Sequence, residues 1–165
     1  VVFITGAQYG PSKCWPGSHF SELADLITGD GATNVYIFPG AGEEKFANKI
    51  REGAKRKERV AVKSLGSGDL KVGLSRAAVV VTNDTGPRHI SAALSVPTVV
   101  LLGPMDERYT YYPSRFTYPM VKEAPCRPCN KKSCDRDHIC LKSITPAEVF
   151  TKLGEIFGHN HRKAH

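Results

Sequence analysis

The segment TNDTGPRH, residues 82–89, places polar residues between the apolar run AAVVV and a helical pattern. Gly86 lets the backbone approach a ligand closely, and Pro87 suits the first position of a helix. Thr85 offers a hydroxyl, and the His89 ring leans back toward the helix start, as helical side chains do. Because backbone N–H groups at a helix start attract anions, the segment predicts a phosphate site. A turn that only caps a helix is the alternative.

Asp84 stands in the same segment, although a carboxylate repels a phosphate at close range. We therefore expect Asp84 either to cap backbone N–H groups or to contact sugar hydroxyls. Neither role makes Asp84 a ligand of the phosphate itself.

Two further loops carry charged residues that suit a nucleotide diphosphate. GAQYGPSKCWP (6–16) contains Lys13, a long cation able to neutralise phosphate charge. PGAGEE (39–44) presents Glu43 and Glu44 at a helix start, where a carboxylate can accept hydrogen bonds from ribose hydroxyls. Taken singly, these residues also fit a surface lysine and acids that stabilise a helix dipole. Together they favour a nucleotide diphosphate site.

Apolar runs rich in Val, Ile and Leu alternate with helical patterns along the chain. The runs are near-continuous rather than alternating, which is typical of parallel strands buried on both faces. The pattern predicts an α/β fold with a Rossmann-like, doubly wound parallel sheet, in which ligands bind beyond the carboxyl ends of the strands. The three loops above lie at such ends. The predicted strands are residues 1–5, 34–38, 60–62, 78–82, 98–103 and 118–122, and the predicted helices are residues 18–27, 43–54, 69–77, 87–95 and 145–157, the last capped by Thr145.

The composition is that of one globular domain with a basic surface. The 165 residues carry a net charge of +7, which favours acidic partners such as nucleotide phosphates, nucleic acid or an anionic membrane. No apolar run reaches the ~20 residues of a membrane span, and the first residues lack a secretory signal, so we expect a cytoplasmic protein. Neither G-x-G-x-x-G nor G-x-x-x-x-G-K-[ST] is present, which argues against an NAD enzyme and a P-loop NTPase.

Four cysteines follow one another in a C-x2-C-x4-C-x5-C pattern, namely Cys126, Cys129, Cys134 and Cys140. In a cytoplasmic protein such a cluster indicates a tetrahedral zinc site more than disulfides, and His138 is an alternate ligand. The spacing after the first pair is shorter than in common zinc ribbons, so reduced or partly paired thiols remain the alternative. Cys14, next to Trp15, is expected to be a packing residue.

Four segments in chain order carry a family resemblance: GAQYGPSKCWP, PGAGEE, TNDTGPRHISAALSVPTVVLLGP followed by MDERY, and ITPAEV. Together they resemble the C-terminal half of the bacterial lipopolysaccharide heptosyltransferases, most of all the heptosyltransferase II type of glycosyltransferase family 9. The likeness covers residues 1–156 and implies one half of a GT-B fold. It makes residues 1–157 the C-terminal, nucleotide-sugar-binding domain, with a cysteine-rich loop at 125–141, and residues 158–165 a basic tail.

The resemblance implies that the chain binds the ADP-heptose donor of an inverting enzyme that transfers heptose to the lipopolysaccharide inner core. The acceptor site and the catalytic base belong to an N-terminal domain that this chain lacks, so we expect the chain alone to bind nucleotide weakly and to be inactive. Transfer requires no cofactor. The implied donor-binding residues are Lys13 for phosphate, Glu43 in preference to Glu44 for ribose, and Asp84, Thr85, Gly86 and His89 for the diphosphate and sugar.

The implied partners are the ADP-sugar donor, the N-terminal acceptor domain, and a lipopolysaccharide precursor at the inner face of the inner membrane. Two other functions are weighed against this one. The first is the GT-B half of a different nucleotide-sugar enzyme, such as a UDP-sugar transferase or an epimerase. The second is a basic zinc-scaffold or nucleic-acid-binding module, which the chain disfavours because it shows no recognition-helix pattern and no interleaved basic and aromatic strands. We therefore expect no nucleic-acid partner.

Overall fold

A computed structural model describes residues 1–110 and 114–161 of the chain. Within these residues, parallel strands alternate with helices, as the apolar runs predict. The strands are β1 Val2–Ile4, β2 Val35–Ile37, β3 Val60–Val62, β4 Val80–Asn83, β5 Thr98–Leu102 and β6 Thr117–Val121. The helices are α1 Gly17–Thr28, α2 Glu44–Gly53, α3 Ser67–Ser75, α4 Pro87–Ala93, α5 Glu107–Thr110, α6 Ile139–Lys142 and α7 Pro146–His161.

The six strands form one parallel sheet in the order β3-β2-β1-β4-β5-β6. Val2 pairs with Tyr36 of β2 on one side and with Val80 of β4 on the other, so β1 lies at the centre. The chain first winds outward to β3 and then returns to place β4 beside β1. The loops after β1 and β4 therefore diverge and leave a crevice between them. The predicted α/β, doubly wound Rossmann-like fold is confirmed.

Apolar side chains on the two faces of the sheet form two separate cores. Strands β1, β4 and β5 are buried along their whole length, which accounts for their mainly apolar composition. One core joins Phe3 and Leu101 to Phe20 of α1 and Leu153 of α7. The other core lies under α3 and α4 and is made mainly of Val2, Ile4, Phe38, Leu74, Val80 and Val96.

The start of α7 follows from local capping. The Thr145 hydroxyl accepts a hydrogen bond from the Glu148 N–H at 3.3 Å, and the Glu148 carboxylate accepts one from the Thr145 N–H at 3.0 Å. This capping box confirms the predicted start of α7. The same helix continues to residue 161, so part of the predicted basic tail is helical, and residues 162–165 lie outside the described residues.

Short elements were the ones that sequence patterns missed. Helices α5 and α6 have four residues each, which is too short for an apolar periodicity to show. Among the helices that the structure describes, none combines the length and the apolar character that crossing a membrane would require.

Candidate functional site at the carboxyl ends of the strands

A cleft of about 460 Å³ opens at the carboxyl ends of the central strands. It is lined by residues 6–8 after β1, residues 38–41 after β2, Leu65 after β3, and Thr85 after β4. The loops after β1, β2 and β4 are the three that the sequence predicts to bind a ligand. The loop after β3 is a further part of the lining that the sequence did not indicate. The cleft thus lies where open α/β sheets bind their ligands.

The cleft is lined by both apolar side chains and polar groups. Phe38, Leu65 and Leu70 line the apolar side. Helix α3 packs closely against this wall because Gly73 has no side chain, and a Cβ there would stand 2.8 Å from the Phe38 ring. Glu43 and Thr85 contribute polar groups to the same cleft. The arrangement suits a ligand with a flat apolar part and a polar or charged part.

The structure separates the two candidate glutamates. The Glu43 carboxylate accepts a hydrogen bond from the Gly40 N–H at 2.8 Å and lies directly over Gly6. A Cβ at Gly6 would stand 1.7 Å from Glu43 Oε2, so only glycine leaves room for this carboxylate. Glu44 begins α2 and lies near the Ser64 hydroxyl at 3.5 Å instead. The geometry supports Glu43 as the residue for ribose, which stays a prediction.

Lys13 and Asp84 form a buried ion pair that also includes Arg88. Lys13 Nζ lies 2.7 Å from Asp84 Oδ2, and Arg88 Nη1 lies 3.1 Å from Asp84 Oδ1. The exposed fractions of the Lys13, Asp84 and Arg88 side chains are 9%, 5% and 6%. Sequence reasoning missed Arg88, although the i, i+4 spacing of Asp84, in the loop before α4, and Arg88, in its first turn, is a signal that could have indicated it.

The expectation that Asp84 caps backbone N–H groups is wrong. In the described chain no side chain caps α4, whose N-cap position is Gly86. The reason is electrostatic, since each carboxylate oxygen of Asp84 is bound by a cation, which is a stronger partner than a backbone N–H. The other role considered for Asp84, contact with sugar hydroxyls, stays a prediction.

The first turn of α4 uses some of the N–H groups that the sequence offered to an anion. Arg88 N donates to Thr85 O at 3.1 Å, and His89 N donates to Gly86 O at 3.0 Å. Thr85 lines the cleft, whereas Gly86 and His89 are exposed beside it. The two buried cations are therefore a larger source of positive field at this edge than the backbone of the turn.

His89 is coupled to Arg88. Arg88 Nε donates a hydrogen bond to His89 Nε2 at 3.2 Å. Burial and the positive charge of Arg88 lower the pKa of His89 below its ordinary value of 6.5, and the negative charge of Asp84 opposes the shift. The imidazole is therefore mainly neutral at pH 7.

The loop that carries Lys13 rests on the cysteine-rich segment. The Tyr9 hydroxyl donates to Asn130 O at 2.7 Å, and the Ser12 hydroxyl donates to Lys131 O at 2.6 Å. The buried Trp15 indole donates to the carbonyl oxygens of Leu141 and Ile144 at 3.1 and 2.9 Å. Residues on both sides of Lys13 are thus hydrogen-bonded to backbone carbonyls near the cysteines, which holds the Lys13 side chain toward Asp84.

The cysteines of the described chain are free thiols, and Cys140 lies close enough to the other three of the cluster for their charges to act on it. Burial and the nearby Cys126, Cys134 and Cys129 raise the pKa of the Cys140 thiol. Cys134 Sγ accepts hydrogen bonds from the N–H groups of Arg136 and His138 at 3.4 and 3.2 Å. In the described residues, no group of three or more His, Cys, Asp or Glu side chains is drawn together as a metal-binding set. The predicted zinc site stays a prediction.

Cys14 stands apart from this cluster. Its side chain is half-buried, and burial and the charge of Glu43 raise the pKa of its thiol. It is thus kept in the uncharged thiol form, which is consistent with the expected packing role.

Comparisons with known proteins agree on one family. The sequence profile of Glycosyltransferase family 9 (heptosyltransferase) matches residues 1–140. Lipooligosaccharide heptosyltransferase 2 of Haemophilus influenzae is 30% identical over 163 residues, covering 94% of this chain and 46% of that protein. Lipopolysaccharide heptosyltransferase 1 of Pseudomonas aeruginosa is 30% identical over 168 residues, covering 93% of this chain and 46% of that protein.

A solved structure shows the same fold. The Escherichia coli ADP-heptose LPS heptosyltransferase II superposes with a TM-score of 0.83 at 25% identity, over 97% of this chain and 46% of that one. The chain therefore spans about half the length of the relatives it matches.

Proposed function

The chain belongs to glycosyltransferase family 9, the heptosyltransferase family, and from that premise we propose that it binds the ADP-heptose donor of an inverting heptosyltransferase. The observation that carries the proposal is the cleft at the carboxyl ends of the strands, whose lining joins apolar side chains to Glu43 and Thr85. Asp84, which two buried cations contact, directly precedes Thr85 in the chain. A similar structure is named for ADP-heptose, which supports this donor over other nucleotide sugars.

The cleft offers a separate partner for each part of an ADP-sugar. The apolar wall of Phe38, Leu65 and Leu70 suits the adenine ring, and the Glu43 carboxylate suits the ribose hydroxyls. The Lys13 and Arg88 charges, with the Thr85 hydroxyl, suit the diphosphate. We assign Asp84, Gly86 and His89 to the diphosphate end and the sugar, where they lie beside Thr85 in the chain.

The reaction we propose is a direct displacement at the anomeric carbon of the donor sugar. A base deprotonates an acceptor hydroxyl, the hydroxyl oxygen bonds to the anomeric carbon, and the bond to the diphosphate breaks. Negative charge then grows on the leaving ADP, where Lys13 and Arg88 stabilise it. Because these cations supply the positive field, the proposed transfer requires no cofactor.

The acceptor site and the base are proposed to lie in a second, N-terminal domain of a longer enzyme. The matching relatives are about twice as long as this chain, and their names refer to lipopolysaccharide and lipooligosaccharide. We therefore propose a cytoplasmic enzyme that meets a lipopolysaccharide precursor at the inner face of the inner membrane. No nucleic-acid partner is proposed.

We expect this chain to bind ADP weakly and to transfer no sugar. In calorimetry ADP is expected to bind more tightly than UDP or GDP, and thermal shifts should rank the nucleotides in the same order because binding stabilises the fold. The His89→Ala variant should lose about tenfold in ADP affinity if the ring contacts the donor. Preference for UDP would support a different nucleotide-sugar enzyme, and turnover by this chain alone would contradict the separate base.

We also propose that the cysteine cluster holds a structural zinc ion. The donor types fit zinc, and His138 Nε2 is buried with no hydrogen-bond partner in the described chain, which is unusual for a histidine that has no ligand. The candidate ligands are Cys126, Cys129, Cys134 and Cys140, with His138 as the alternate.

Elemental analysis of the chain purified without chelator should find about one zinc ion per molecule. The Cys134→Ser variant should lose most of it, whereas Cys14→Ser, which changes a thiol outside the cluster, should retain it. Metal-free protein in which all five thiols react with a thiol reagent would contradict the zinc proposal.

A further inference from the structure

The buried group of Lys13, Asp84 and Arg88 holds two positive charges and one negative charge. Asp84 is the one carboxylate that approaches either buried cation within 4.0 Å among the described residues. Two cations therefore share one anion, and the side chains of all three are at least nine-tenths buried. The group carries one unbalanced positive charge.

An unbalanced buried charge is costly unless an anion joins it. Lys13 and Asp84 by themselves would form a neutral pair, which attracts a phosphate only weakly. Arg88 adds a second cation to this pair. One positive charge is therefore in excess beside Thr85 and the cleft. The excess is what a multiply charged ligand requires.

The contact between Arg88 and His89 has a second consequence. A guanidinium has only N–H donors, so His89 Nε2 must accept the hydrogen bond that Arg88 Nε donates at 3.2 Å. The ring proton then lies on Nδ1, which is the ring nitrogen that donates a hydrogen bond in this tautomer. Arg88 therefore determines the tautomer of His89 as well as its charge.

We propose that Arg88 is a positioning residue of the donor site, which supplies the excess positive charge for the diphosphate and holds His89 as a neutral donor through Nδ1. The proposal rests on the proposed function, since its ligand is the diphosphate of ADP. It goes further by making recognition of the diphosphate depend on a residue that lies below the cleft. The affinity for nucleosides without phosphate is expected not to depend on Arg88.

The experiment compares ADP with adenosine on four proteins: wild type, Arg88→Met, Arg88→Lys and Arg76→Met. Methionine keeps much of the volume of the side chain and removes its charge. Arg76 is exposed at the end of α3 and serves as the matched control, because its substitution changes the net charge of the chain equally. Circular dichroism and thermal unfolding report whether each variant is folded.

Calorimetry should show that Arg88→Met binds ADP at least about tenfold more weakly, with unchanged affinity for adenosine. Arg88→Lys should recover part of the loss, since it restores the charge but not the bond to His89. Arg76→Met should bind both ligands like the wild type. A purely structural role for Arg88 would weaken ADP and adenosine equally, and that result would overturn the proposal.

Failure of this inference can be told apart from failure of the proposed function. If wild type binds ADP and Arg88→Met binds it equally well, the role of Arg88 is overturned and the donor site stands. If wild type does not bind ADP, the proposed function is overturned.

NMR titration of His89 without nucleotide then tests Arg88 by itself. Among the described residues, Arg88 lowers the His89 pKa and Asp84 opposes that shift, so removing the Arg88 cation should raise the His89 pKa, and an unchanged value would overturn the inference.

Discussion

Replacing Asp84 by asparagine is expected to destabilise the fold by about 3–5 kcal/mol, because the change removes the anion between two buried cations. Asparagine keeps the shape of the side chain, but Lys13 and Arg88 then face each other's charge with 9% and 6% of their side chains exposed. The loss is larger than a missing hydrogen bond would produce.

Urea unfolding of Asp84→Asn and Asp135→Asn measures this effect against a matched control. Asp135 is also paired with a lysine, at 2.9 Å, but both side chains are more than half exposed. Its loss should cost no more than about 1 kcal/mol. Arg88→Met should also stay within about 1 kcal/mol of wild type, because the Lys13–Asp84 pair remains balanced. Equal, small effects for Asp84→Asn and Asp135→Asn would contradict the buried triad.

The Gly6→Ala variant is expected to lose about 10- to 100-fold in ADP affinity, as Glu43→Gln should. The alanine Cβ would stand 1.7–1.9 Å from the Glu43 carboxylate atoms and would displace the carboxylate from the cleft. Glu43→Gln keeps the side chain in place but removes the charge that strengthens hydrogen bonds from ribose hydroxyls. The two substitutions therefore remove the same interaction by different routes.

Binding of ADP and 2′-deoxy-ADP to Gly6→Ala, Glu43→Gln and the double variant tests this coupling. The double variant should bind no worse than the weaker single variant, since both changes act on one contact. The loss should be smaller for 2′-deoxy-ADP, which lacks one ribose hydroxyl. Gly154→Ala, where an added Cβ meets no atom within 4 Å, and Glu44→Gln are the controls and should bind normally. If Glu44→Gln were the damaging change, the ribose assignment would belong to Glu44.

Much of the fold follows from local patterns. Residues 77–81 and 99–102 are so uniformly apolar that burial on both faces, and hence a parallel sheet between helices, is the arrangement that covers them. Thr145 with Glu148 marks the start of α7 because a capping box involves residues three apart in the chain. Boundaries of other elements moved by one or two residues, as between the predicted start of α3 at 69 and its observed start at Ser67.

The candidate site was accessible to sequence reasoning only in part. Parallel topology brings the ends of β1, β2 and β4 to one edge, so the loops that carry Lys13, Glu43 and Thr85 could be grouped without coordinates. The choice between Glu43 and Glu44 could not be made in this way. It depends on the space above Gly6, which is 37 residues away from Glu43 in the chain and adjacent to it in the fold.

By itself the sequence determined the family, the doubly wound sheet and the loops that form the cleft, because these follow from short-range periodicity and from motifs of a few residues. Only the tertiary structure decided what the charges in those loops do. Lys13 and Asp84 are 71 residues apart in the chain, and their pairing with Arg88 depends on distances of about 3 Å and on burial from water. Charge interactions at that range change by several kcal/mol with depth below the surface, and sequence spacing does not measure depth.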